Sequence, residues 1–243
     1  MINFKLISVC MLKQFQIFTI AIIFLVLLGC KSDSTEPANQ GIARADSWWQ
    51  QRHNNILAAD NSKAKILFLG DSITHNWESA SFGFGIWQQY YGDSAVNLGF
   101  SGDKTQHLLW RIEHGEIDDM SPEFVVLLIG TNNAKEYSAD DIASGVNAVI
   151  DVIVQKLPNT QLIVHRIFPR GPTNDPIRKV TDAASQQLNQ RATTSDNITY
   201  LDINASFLDG QDNIPEDIMA DGLHPSTKGY AIWANELSNH ISL

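Results

Sequence analysis

The 243-residue chain carries two cysteines, Cys10 and Cys30, and none after them. That excludes a disulfide framework, a thiolate zinc site or a cysteine nucleophile from the rest of the sequence. Positive charge is scarce too. Seventeen Lys and Arg stand against 27 Asp and Glu, a net charge of −10. No basic face is available for phosphates, so nucleic acid is not an expected partner. There is no low-complexity stretch, no internal repeat at the usual periods, and no HExxH, GxGxxG or GxSxG motif. Metal, dinucleotide and nucleophile-elbow readings thereby lose their sequence support. The composition that remains, 44% hydrophobic and 18% charged, is that of one ordinary globular domain able to build its own core.

The one long hydrophobic run is Ile17–Leu28, IFTIAIIFLVLL, preceded by Lys5 and Lys13. A charged segment before an apolar stretch this short reads as an export leader rather than a comfortable membrane span. It ends in LLGC, residues 27–30, which resembles the lipobox of bacterial lipoproteins. The resemblance implies cleavage before Cys30 and a diacylglyceryl anchor on its sulfur. Leu28 is a tolerated choice in that motif, and Lys31 is not the aspartate that retains such proteins in the inner membrane. Met11 offers a shorter leader as an alternative start, and an uncleaved anchor helix is the competing reading. Residues 1–29 are thus expected to be a lipoprotein signal peptide. Residues 30–45, lipidated Cys30 plus a polar stretch with a proline, are expected to be a flexible tether. Residues 46–243 form the folded body.

Within the body, Asp46 is positioned to cap a helix starting at Ser47, with Trp49, His53, Ile56 and Leu57 on one face. Five short apolar runs follow, at 65–70, 95–99, 124–130, 162–168 and 198–203. Helical patterns separate them, at about 82–91, 105–114, 140–157 and 177–191, and a last one spans 227–241. Alternating strands and helices predict an α/β fold with a parallel sheet covered on both faces. In such sheets ligands bind at the carboxyl ends of the strands. Three of those ends are polar here: Gly70-Asp71-Ser72, Gly99 to Asp103, and Gly130 to Asn133.

Ser72 falls two residues past the first strand. A helix cap or turn is the commoner role for such a serine; a nucleophile needs a base and oxyanion donors. Of seven histidines, His53, His107, His114 and His240 lie in or beside helical patterns, His165 inside a strand, and His75 too near Ser72 in sequence. His224 lies in the loop ADGLHPS, with Asp221 three residues before it. A tight turn there would let the carboxylate orient the imidazole; the bland alternative is a helix cap followed by proline. Gly102 could bring its backbone N–H to a ligand, and Asn132 could offer a side-chain amide or merely stabilise a turn.

Together GDS (70–72), Gly102 in SGD, GTN (130–132) and DGLHP (221–225) resemble the four blocks of the SGNH, or GDSL, hydrolase family, in order. SAVNLGFSGDKTQHLLWRI (94–112), FPRGPTNDPIRK (168–179) and WWQQRHN (48–54) resemble one branch of it. That branch includes the catalytic subunits of platelet-activating factor acetylhydrolase and bacterial carbohydrate acetylesterases. The resemblance implies a three-layer α/β/α, flavodoxin-like sandwich on a five-stranded parallel sheet. It implies Ser72 as nucleophile, His224 as general base and then acid, and Asp221 as orienter. The oxyanion hole would be the N–H groups of Ser72 and Gly102 and the Asn132 side chain. No metal or organic cofactor is implied.

The expected reaction is hydrolysis of short acyl esters, acetyl above all, on carbohydrate. A lysophospholipase or short-chain lipase is the alternative. From other classes come a catalytically silent surface glycan-binding lipoprotein and a metal-dependent phosphoesterase. Among the six tryptophans, Trp77 and Trp87 are the expected cleft residues; Trp48 or Trp49, Trp110 and Trp233 are expected to pack. Arg166 and Arg170 are candidate contacts to an acidic substrate. Oligomeric state is not legible.

Overall fold

A computed structural model describes residues 36–192 and 196–241. The expected signal peptide, Cys30 and the first part of the tether lie outside them. The described elements alternate: α1 (Ser47–Ala58), β1 (Ile66–Gly70), α2 (Ser72–His75), α3 (Phe84–Tyr90), β2 (Ala95–Gly99), α4 (Thr105–Glu113), β3 (Phe124–Leu128), α5 (Ala139–Lys156), β4 (Gln161–His165), α6 (Pro176–Ala192), β5 (Ile198–Leu201) and α7 (Thr227–Ser238). All strand pairs are parallel, in the order β2-β1-β3-β4-β5. This is the flavodoxin-like arrangement, whose chain direction across the sheet reverses between β1 and β3. Ser72 and Asn132 leave the sheet on the two sides of that switch point.

The strands are short, and central β1 (ILFLG) and β3 (FVVLL) are continuously apolar because both faces are covered. Leu67 and Leu69 of β1 point to one core with α4 and α5, whose stripe Ile142, Val146, Val149, Ile150 and Ile153 is buried. Ile66 and Phe68 point to the other, built from Trp77, Trp87, Tyr91, Tyr230 and Trp233. The period-2 alternation of a strand thus feeds two separate cores. Trp77 and Trp87, expected at the cleft, are in this second core, packed around Phe68. Their bulk fills the space between α3, α7 and the sheet, so they are corrected to packing residues.

Two local expectations change. Helix α1 starts at Ser47, but Asp46 makes no cap bond; its carboxylate accepts instead from Arg44 Nε at 2.9 Å. The described part of the expected tether is docked. Ala38 is buried, Thr105 Oγ1 donates to the Ala38 carbonyl at 2.8 Å, and Ile42 N–H donates to Gln106 O at 3.0 Å. Backbone groups satisfied by α4 hold residues 38–42 as part of the folded unit that begins at Pro37.

Candidate active site

Strand β1 ends at Gly70, and Asp71 caps α2: its Oδ1 accepts from Ile73 N–H at 2.9 Å. The capping role that competed with chemistry at Ser72 therefore belongs to its neighbour, and Ser72 is free at the first helical position. The short helix sits low on the sheet because β2 ends in Gly99, where a Cβ would collide with the Thr74–His75 backbone. Asp71 is buried, and burial pushes its carboxyl up to about 7 against the pull of the Ile73 N–H.

The partner arrives from the last loop. Asp221 Oδ1 accepts from the backbone N–H groups of Leu223 (2.9 Å) and His224 (2.8 Å), while Oδ2 faces His224 Nδ1 at 2.6 Å. This closed turn is what the spacing D-x-x-H allows. Burial would raise the Asp221 carboxyl, but the three donors outweigh it and hold it below the usual aspartate value. An ionised carboxylate only accepts, so His224 Nδ1 donates to it. The other ring nitrogen, Nε2, faces Ser72 Oγ at 2.9 Å. The 152-residue separation is bridged by α7. Ser226 caps it, accepting from Gly229 N–H, and Tyr230 one turn on donates from its buried hydroxyl to Ile73 O at 2.5 Å. The helix after His224 is thus bolted to the helix that carries Ser72.

The third group of residues comes from the β2 and β3 ends. Gly102 has φ +80°, a region only glycine enters freely. Asn132 Nδ2 donates to Asp103 O at 2.9 Å. Among the described residues, neither the Ser72 nor the Gly102 N–H donates to another protein group. The structure joins Ser72, His224 and Asp221 by hydrogen bonds, and it ties Asn132 to the loop that carries Gly102.

Several supports were not legible there. Asp103 is fully buried and accepts from Trp49 Nε1 (2.8 Å), Arg111 Nε (2.9 Å) and Arg44 Nη1 (3.2 Å). Arg111 also pairs with buried Glu116, which faces His53. Asn133, buried beside Asn132, accepts from Thr105 N–H at 3.0 Å and ties the β3 loop to α4. Arg170 Nη1 donates to Thr131 O (2.9 Å) and Thr131 Oγ1 (3.0 Å), bracing the residue before Asn132. Arg166 is engaged by Asp182 and Asp202. These contacts come from distant segments, so only the weak local signal of a lone polar residue at a strand end could have flagged them. No group of three or more His, Cys, Asp or Glu among the described residues is arranged to hold a metal ion.

The GDSL-like Lipase/Acylhydrolase family matches residues 68–232. The chain is 31% identical over 195 residues to the platelet-activating factor acetylhydrolase IB subunit alpha2 of Rattus norvegicus, covering 80% of this chain and 83% of that protein. Among solved structures it resembles an acetylxylan esterase from Geobacillus stearothermophilus (TM-score 0.58, 21% identity, 75% of this chain and 95% of that one). It also resembles a GDSL-like lipase from Bacteroides thetaiotaomicron (TM-score 0.61, 19% identity, 79% and 95%). The two structural likenesses speak to fold.

Proposed function

Because this chain belongs to the GDSL-like lipase/acylhydrolase family and is a carboxylic ester hydrolase, we propose that it removes short acyl groups, acetyl above all, from carbohydrate through a serine acyl-enzyme. The observation that carries the reading is the hydrogen-bonded line Asp221–His224–Ser72.

In the proposed mechanism Ser72 Oγ attacks the ester carbonyl carbon as its proton passes to His224 Nε2. The carbonyl π pair moves onto oxygen, which is held by the Ser72 and Gly102 N–H groups and by Asn132 Nδ2. The tetrahedral intermediate collapses, the C–O bond to the sugar breaks, and the proton on Nε2 goes to the departing alkoxide. Water repeats the sequence on the acyl-serine, losing a proton to His224 and releasing the carboxylic acid and free Ser72. Asp221 stays ionised throughout and stabilises the imidazolium.

Acetyl is favoured because the curated relative is named an acetylhydrolase and a structural neighbour an acetylxylan esterase. Carbohydrate is favoured by the second name and by the export leader read in residues 1–29. With Cys30 lipidated, the enzyme would be displayed from the bacterial outer membrane, where glycans are accessible. Cys30→Ser should release it to the soluble fraction and abolish lipid labelling.

The test of the activity is hydrolysis of p-nitrophenyl esters of increasing chain length, with Ser72→Ala alongside. Activity that is lost in the variant and falls steeply beyond acetyl is expected. A preference for long chains would move the substrate to lipids, and wild-type rates from folded Ser72→Ala would remove the mechanism.

A further inference from the structure

Five of the six tryptophans are wholly or partly buried; Trp48, on the first turn of α1, is 41% exposed. It lies against the oxyanion loop. Its ring is 6.2 Å from that of His75 and nearly parallel to it, at 12°. The Arg44 guanidinium carbon is 5.3 Å from the Trp48 ring centroid. Arg44 donates to Ser101 O at 2.8 Å and covers the open side of Gly102. One guanidinium therefore separates the exposed indole from Gly102.

From Trp48 an open groove of about 420 Å³ runs along α1, past His75 and edge-strand residue Val96, toward Asn61. Its volume falls within the range of small-ligand sites, roughly 300–1,000 Å³. Its polar rim is made of amides. Gln51 Nε2 donates to Asn55 Oδ1 at 2.8 Å, leaving the Asn55 amide donors and the Gln51 oxygen facing the groove or water. His75 Nδ1 accepts from Ser101 N–H at 3.3 Å, and burial with the nearby Arg52 charge lowers its basicity. The neutral ring with Nδ1 accepting carries its proton on Nε2, which lies 3.8 Å from Glu78 Oε2 on the rim. The one strong cation in the lining, Arg52, is neutralised by a two-point pair with Glu78 at 2.7 and 3.0 Å.

We propose that this groove is a binding site for a neutral oligosaccharide, with Trp48 as the stacking platform that holds the sugar units adjoining the acylated one. A sugar ring offers what the groove matches: a C–H face for the indole and hydroxyls for amides and the His75 N–H. An acyl chain would leave those amides facing hydrocarbon, and an acidic glycan would meet a cation already paired. The inference rests on the carbohydrate-esterase reading and deepens it.

The experiment compares kcat/KM for p-nitrophenyl acetate with that for acetylated xylo-oligosaccharides of increasing length, in the wild type, Trp48→Ala and Trp48→Phe. In parallel, binding of deacetylated xylo-oligosaccharides to Ser72→Ala and to Ser72→Ala/Trp48→Ala protein is followed by titration calorimetry. The expected result is an oligosaccharide-to-p-nitrophenyl acetate ratio lowered about tenfold in Trp48→Ala, mostly as KM, with the loss growing with chain length. Trp48→Phe should recover much of it, and the double variant should lose saccharide binding. A ratio that Trp48→Ala leaves unchanged while the wild type cleaves acetylated saccharides would overturn the groove and leave the carbohydrate-esterase reading standing. If the wild type cleaves only the aryl ester, that parent reading fails. The groove is then decided by the calorimetry alone: binding that needs Trp48 supports it, and no binding overturns it.

Discussion

The Asn132 side-chain amide donates one N–H to the backbone carbonyl of Asp103 at 2.9 Å, which fixes the plane of the amide against the Gly102 loop. Its second N–H is thereby aimed by a neighbour rather than by its own backbone. The carbonyl that holds it belongs to a residue whose carboxylate is itself clamped by Trp49, Arg111 and Arg44. The orientation of the proposed oxyanion donor is thus set by a buried charge network.

Asn132→Ala should lower kcat by about 10²–10³-fold with little change in KM, the usual consequence of removing one preorganised oxyanion donor. Steady-state kinetics on p-nitrophenyl acetate check this. A change confined to KM would show that Asn132 serves ground-state binding instead.

Ser72→Ala and His224→Ala should each reduce turnover by on the order of 10⁶-fold, and Asp221→Ala by roughly 10⁴-fold. The smaller loss is expected because the Asp221 side chain is 56% exposed, so water can occupy its place beside Nδ1. Single-turnover rates on folded variants decide the ranking.

Arg111 is completely buried between Asp103 and Glu116. Arg111→Ala removes the cation shared by two buried carboxylates, leaving Asp103 to Trp49 and Arg44 and Glu116 to His53, and should cost about 3–5 kcal/mol of folding stability. Urea unfolding measures it. A loss below about 1 kcal/mol would mean that the carboxylates find protons or water at little cost.

Asp71 supplies a pH signature. Its folded pKa, raised to about 7 by burial, lies above the ordinary value near 3.9. The folded state therefore binds a proton that the unfolded chain releases. The stability from this group is complete below about pH 4 and falls as pH climbs toward 7. Asp71→Asn keeps an oxygen to accept from Ile73 N–H and removes the titration. Its Tm relative to wild type should rise between about pH 4 and pH 7 and level off above. A Tm difference that stays flat across that window would show that Asp71 is ionised at no cost.

The comparison of sequence with structure is sharpest at particular residues. The five largely apolar runs are all strands, within a few residues at their ends, because a strand covered on both faces favours apolar residues at successive positions, most completely in central β1 and β3. D-x-x-H at 221–224 is a local turn, so its hydrogen bonds were implicit in its spacing. The tryptophans were not separable in the same way. Trp48 and Trp49 are adjacent on one helix, and only the docking of α1 against Phe100 and Trp110 buries one and exposes the other. Trp77 and Trp87 lie near the GDS block in sequence but face the core beneath it.

The sequence by itself determined the layered α/β plan and the five residues of the candidate site. Strand periodicity, helix stripes and turn chemistry are short-range properties, and the family blocks resemble known ones residue by residue. Tertiary structure alone decided how those residues are held. The Tyr230–Ile73 bond, the Asp103–Arg111–Glu116 network and the Trp48 groove each join segments from different elements, several of them far apart in the chain. Such contacts depend on how whole helices pack on the sheet, which no local pattern of residues encodes.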